Sequence, residues 1–210
     1  MEMSGGTITG GNAENGGGIF VANSSTCTIS GGIVTKNEAT NGGGIYVDGG
    51  GALTVSGGTI TDNEAESGGG VYVASGGSCT INDGAITQNT ATGDGGGVYS
   101  EATFKFNSGT ISDNEAVNGG GIYAAGNSTI LGSDTGAMHL TNNTATGNGG
   151  GAYFAEGSSG HLILGNDTLI SENNAVNGGG VYVANGQFDM IDGTISQNTA
   201  TGNGGGIYAG

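Results

Sequence analysis

Three glycines, an aliphatic residue and an aromatic one recur along this chain every 24 to 30 residues. The triplets begin at Gly16, Gly42, Gly68, Gly95, Gly119, Gly149, Gly178 and Gly204, and the pairs that follow them run from Ile19-Phe20 and Ile45-Tyr46 to Val181-Tyr182 and Ile207-Tyr208. Ahead of every triplet but the first lies an aliphatic-x-x-Asn element, as in Ile60-Thr61-Asp62-Asn63 and Ile195 to Asn198, with Ala two residues after the Asn; in the first coil Gly11 replaces the Asn and Ala13 continues the Ala column. A looser segment alternates apolar residues: Cys27/Ile29, Leu53/Val55, Cys79/Ile81, Phe104/Phe106, Leu162/Leu164 and Phe188/Met190.

Each repeat therefore holds three short runs of period-two alternation separated by Gly, Asn, Ser and Asp, which predicts three strands and three turns. No window carries apolar residues at helical spacing. A strand of four to six residues cannot bury its apolar face alone, so successive repeats must stack in register about 4.8 Å apart. The expected fold is all-β: a single-stranded right-handed parallel β-helix, a three-sided solenoid of about eight coils of about 26 residues, its hand following from the preference of parallel crossovers. Equivalent residues then form columns. Ile should sit on Ile, the Asn column should pass amide hydrogen bonds from coil to coil while tolerating left-handed backbone angles at the bend, and Gly should mark positive φ or crowding between coils.

Composition narrows the function. Glycine supplies 51 of 210 residues and proline none, yet 34% are hydrophobic, which fits neither collagen nor a disordered chain. Lys36 and Lys105 are the only basic side chains apart from histidine, and the formal net charge is −16. Nucleic acid and anionic membrane surfaces are excluded as partners, since both need basic patches. No stretch approaches the roughly 20 apolar residues of a membrane span, so no membrane insertion is expected. Residues 1–210 read as one repeat domain that ends inside a repeat, the expectation for a piece of a longer protein with open sheet edges that invite end-to-end association.

The pairing of Ile60-Thr61-Asp62-Asn63 with Gly69-Gly70-Val71-Tyr72 resembles the repeats of polymorphic outer-membrane proteins and related bacterial adhesin-like β-helices, over essentially the whole chain. Where those repeats begin with Phe, this chain has Ile, Val or Leu. The resemblance implies a module at the cell surface or outside a bacterium that displays loops to a host or bacterial glycan or protein.

Candidate sites follow from the columns. With Ile45 and Val47 inward, Tyr46 must point outward, so Tyr46, Tyr72, Tyr99, Tyr123, Tyr153, Tyr182 and Tyr208 should line one face, stacked on one another or offered to sugar rings or a protein. Thr7-Ile8-Thr9 and its equivalents place hydroxyls outward as in ice-binding solenoids, with one row interrupted at Ile33, Ala85, His139 and Leu169. Glu38 and Glu64 fall in one column of adjacent coils, where calcium could bridge them, and no other cofactor is expected.

A polysaccharide lyase or glycoside hydrolase is the enzymatic alternative that this fold invites. Polyuronate substrates need cationic contacts and lyases a strong base, and two lysines on an acidic surface supply neither well. A catalytic site should also break the repeat. The breaks lie at 131–139 and 156–167, holding Asp134, His139, His161 and Asp167, and they read as polar loops of a non-catalytic protein. Cys27 and Cys79, two coils apart with Leu53 between them, would lie near 10 Å from each other, too far for a disulfide.

Overall fold

A computed structural model describes residues 1–125, 129–131, 136–156, 161–165, 167–184 and 187–210, with backbone alone for 129–131 and 161–163. Every strand pair is parallel, and among the described residues no helix forms. Three sheets of eight stacked rungs run the length of the molecule, which makes seven steps from one coil to the next.

The first sheet starts at Glu2–Thr9 and Thr26–Thr35 and ends at Thr168–Ser171 and Thr194–Ser196. The second carries the alanine column, from Asn12–Asn15 and Glu38–Asn41 to Thr199–Ala200. The third carries the tyrosines, from Ile19–Val21 and Ile45–Val47 to Ile207–Ala209.

The three sheets divide the repeat differently from the three runs seen in sequence. The alanine column forms a strand of its own. In the first coils the loose apolar segment and the Ile-x-x-Asn element join into single ten-residue strands, Thr26–Thr35, Ala52–Thr61 and Ser78–Thr87. Register shifts near Gly31-Gly32 and Gly57-Gly58 take up the bend, so a β-bulge does the work assigned to a turn. Later coils separate the two parts: Thr103–Phe106 and Gly109–Ser112 both pair with Ser78–Thr87, and Thr129–Leu131, His161–Leu164 and Gln187–Met190 form a small sheet apart.

The columns are as expected. Val34 pairs with Ile60, Ile60 with Ile86, Ile86 with Ile111, and the row continues through Leu140 and Ile170 to Ile195. From Val34 to Ile170 these side chains are buried in one continuous core, where each contributes about 1.5–3 kcal/mol relative to an exposed position. Cys27 and Cys79 both pair with Leu53 from opposite sides, free and buried.

Each glycine of a triplet answers a different demand. The first has φ between 60° and 71° in all eight coils, a region that L residues rarely visit. The second and third are pinned by the coil above: a Cβ on Gly43 would lie 2.3 Å from the Glu64 carbonyl oxygen, and one on Gly70 would lie 2.6 Å from that of Gly97.

The asparagine ladder forms with one correction. Asn63 Nδ2 donates to Asn89 Oδ1 at 3.0 Å, Asn89 to Asn114 at 3.0 Å, and the chain of amides runs from Asn37 to Asn198. The left-handed backbone does not fall on these asparagines. It falls on the residue before each: Lys36, Asp62, Gln88, Asp113, Asn142, Glu172 and Gln197. The strained angle turns the chain so that the next side chain points into the core, where only an amide can satisfy neighbours above and below.

Candidate functional site

Strands of three residues make the tyrosine face. In Ile45-Tyr46-Val47 the flanking side chains are fully buried and Tyr46 is half-buried, which follows from the alternation of a pleated strand. Parallel pairing in strict register puts Tyr46 beside Tyr72, Tyr72 beside Tyr99, and so on to Tyr208. All seven candidate tyrosines thus fall in one column, headed by Phe20.

The rings lie face to face. Centroids are 4.7 to 5.3 Å apart and planes within 6° to 11° of parallel, from Phe20–Tyr46 to Tyr182–Tyr208. Each ring face is covered by its neighbour. What the column offers to a ligand along its length is ring edges and a row of hydroxyls; the two end rings, Phe20 and Tyr208, each have a stacked neighbour on one face, and Phe20 is 50% exposed.

Burial within the stack raises the phenol pKa values of Tyr46, Tyr99, Tyr123 and Tyr153, with smaller contributions from Asp48, Glu101, Asp94 and Glu156. Tyr72 is raised furthest, by burial and then by donating its hydroxyl to Glu101 Oε1 at 2.8 Å. The other carboxylate oxygen of Glu101 accepts the Ser75 N–H at 3.2 Å.

Glu101 was not singled out from sequence, although a signal exists. It stands two residues after its tyrosine, in a column that otherwise holds Ala22, Asp48, Ala74, Ala125, Ala155, Ala184 and Gly210. Two acids, Asp48 and Glu101, interrupt this row of small residues beside the tyrosine column.

A second asparagine ladder also went unread. The residue before each triplet is Asn15, Asn41, Ser67, Asp94, Asn118, Asn148, Asn177 or Asn203, and side-chain amides link Asn41 to Asn15 at 3.0 Å, Asn118 to Asp94 at 3.0 Å and Asn177 to Asn148 at 2.9 Å. This ladder is part-buried and flanks the tyrosine column across the first glycine of each triplet.

The right handed beta helix region family model matches residues 1–169 and again 43–210. The chain belongs to the right-handed β-helix family. No curated protein and no solved structure matches it. In this β-helix the remaining candidates sit as follows. Glu38 and Glu64 are exposed and paired in adjacent rungs, with Thr90 next in the column; among the described residues no group of three or more His, Cys, Asp or Glu is placed to hold a metal ion.

Both histidines lie in strands, a correction to their placement in loops. His139 is in Met138–Thr141, half-buried between Thr110 and Leu169, because the stacking register continues through the longer repeat. His161 begins His161–Leu164, with its side chain outside the described residues. Asp134 also lies outside them, and Asp167 is exposed at a left-handed turn.

The hydroxyl rows differ from each other. Thr7, Ile33, Thr59, Ala85, Thr110, His139, Leu169 and Thr194 form the interrupted row, while Thr9, Thr35, Thr61, Thr87, Ser112, Thr141, Ser171 and Ser196 form an unbroken one. In the unbroken row Ser112 and Ser171 are buried.

Proposed function

We propose that this β-helix is a non-catalytic display or adhesion module at the surface of a bacterium or outside it, which binds a glycan or a protein along its tyrosine face. The observation that carries the reading is the continuity of that face: one outward aromatic residue per coil through eight coils, the seven tyrosines half-buried with edge and hydroxyl left to the outside. Such a row is rigid before a ligand arrives, so little side-chain entropy is lost on binding. The overall charge of −16 favours a neutral or cationic ligand over a polyanion.

The repeat itself supports a non-catalytic role. His139, the histidine whose surroundings are described, fills a ladder position in the stacking register, as a Thr or Leu does in the neighbouring coils. An ice-binding role draws support from the unbroken hydroxyl row, but the parallel row two residues away is broken in four of eight rungs, so a regular two-row lattice does not form.

The test is a glycan and protein array probed with the parent chain and with the triple variant Tyr46→Ser, Tyr72→Ser, Tyr99→Ser. Binding that the triple variant loses while its β-sheet circular dichroism persists supports the tyrosine face. Equal binding by both proteins places recognition elsewhere, and thermal hysteresis or release of reducing or unsaturated sugars by the parent would overturn the reading in favour of ice binding or catalysis.

A further inference from the structure

Eight near-parallel rings in unbroken sequence give an electron vacancy a path, because electron tunnelling falls steeply with distance and no step here exceeds 5.3 Å between centroids. A phenol that loses an electron becomes a far stronger acid, so its oxidation goes to completion only where a base takes the proton. Burial favours the protonated phenol at Tyr46, Tyr99 and Tyr153, so the requirement holds at these rings. Among the described residues one tyrosine meets it: the Tyr72 hydroxyl donates to Glu101 Oε1 at 2.8 Å. Glu101 is itself held by the Ser75 N–H, so the acceptor is positioned before any oxidation occurs. The carboxylate belongs to the coil above Tyr72, and the ring of that coil, Tyr99, lies 4.8 Å away.

We propose that the tyrosine column is a hole-transfer relay whose resting site is Tyr72 with Glu101 as its proton acceptor, and that its reaction partners are one-electron oxidants. The oxidant gains one electron from a tyrosine of the column. The vacancy then moves as each neutral tyrosine gives an electron to its oxidised neighbour. At Tyr72 the O–H bond breaks, the proton passes to Glu101 Oε1, and a neutral tyrosyl radical is left. No carbon bond is made or broken, and a one-electron reductant with return of the proton restores the phenol. This activity is independent of the adhesive role proposed above.

The experiment injects the vacancy at a distance. Ala184→Cys places a thiol in the Glu101 column beside Tyr182, and Cys27 and Cys79 are buried, so a ruthenium tris-diimine photo-oxidant can be attached there. Flash photolysis with a cobalt(III) ammine as electron acceptor, trapping by a nitroso compound and mass spectrometry of peptides then locate the radical. The expected result is accumulation of adduct on Tyr72, four rings from the point of injection, in excess of Tyr153 and Tyr123. The double variant Tyr123→Phe, Tyr99→Phe keeps the rings, as Phe20 does in the same column, but removes two oxidisable steps; Tyr72 adduct should be lost and Tyr182 and Tyr153 adducts should rise. Glu101→Gln should abolish the accumulation at Tyr72 and spread adduct along the column. Adduct confined to Tyr182 in the parent, or Tyr72 adduct unchanged in the double variant, would overturn the relay.

Discussion

Asn63 and Asn89, 26 residues apart, share one oxygen: Asn89 Oδ1 accepts both the backbone N–H of Asn63 at 3.1 Å and its side-chain Nδ2–H at 3.0 Å. Asn89 Nδ2 in turn donates to the Ile60 carbonyl and to Asn114 Oδ1, each at 3.0 Å. Asn89→Ala therefore takes the partner from the Asn63 backbone N–H and from one Asn63 Nδ2–H, whose other bond to the Val34 carbonyl remains, and removes the side-chain donor to the Ile60 carbonyl, all at buried positions. At about 1–3 kcal/mol for each unsatisfied buried group, the expected loss is about 3 kcal/mol or more. Urea denaturation checks it; a loss below about 1 kcal/mol would mean that water replaces the amide, since a water can satisfy such groups only if the site is roomy.

Gly97 and Gly76 should differ in how much a side chain costs. A Cβ at Gly97 would meet the Gly121 carbonyl oxygen at 2.6 Å, backbone that cannot swing aside, so Gly97→Ala should destabilise by about 1–3 kcal/mol as an overpacked core does. Gly76 has φ +84° but open space around it, with nothing nearer than 3.8 Å. Gly76→Asn should cost less than about 1 kcal/mol, because Asn tolerates left-handed angles. Paired denaturant midpoints decide the comparison.

Stability should fall at alkaline pH through the tyrosine column. Burial raises the phenol pKa values of Tyr46, Tyr72, Tyr99, Tyr123 and Tyr153 in the folded protein above the value of about 10 in the unfolded chain. Above that pH the unfolded state has released protons that the folded state still holds, so unfolding becomes more favourable as pH rises. The stabilisation is complete below about pH 10 and is lost above it. Tyr72→Phe should flatten this alkaline slope, as measured by denaturation at stepped pH. An unchanged slope would assign the effect to other groups.

Thiol chemistry reports on the core. Burial pushes the Cys79 thiol up to about 12 and raises Cys27 as well; Cys79 sits between Leu53 and Phe104, both buried, and Cys27 packs on Leu53. Because the thiolate is the reacting species, neither should react with an aromatic disulfide reagent at neutral pH until the chain unfolds. Cys79, fully covered by coils on both sides, should be labelled no faster than global unfolding allows; labelling that outpaces unfolding would reveal local opening at Leu53 and Phe104.

Much of this molecule was legible along the chain. Val34, Ile60, Ile86 and Ile111 could be assigned to one inward column, and Tyr46 through Tyr208 to one outward column, because a stack of identical coils repeats each residue's environment at a fixed period. The glycine triplet announced tight turns and close approach for the same reason. The second asparagine ladder, from Asn15 to Asn203, was equally visible as a residue type before each triplet. It went unread because the neighbouring glycines and tyrosines dominate the pattern.

Periodicity says which residues lie over one another, and it says nothing of how their side chains meet. That the tyrosine rings lie face to face and keep only their edges for the outside depends on rotamers shared by eight coils. That Lys36 and Asp62, and not Asn37 and Asn63, carry the left-handed backbone depends on which residue must turn so that an amide can enter the core. The joining of two apolar runs through a bulge, the strand position of His139 and the reach of Glu101 to Tyr72 are likewise contacts between separate coils. Sequence order determined the period and the faces of this β-helix; packing between residues 24 to 33 apart decided the geometry of everything on them.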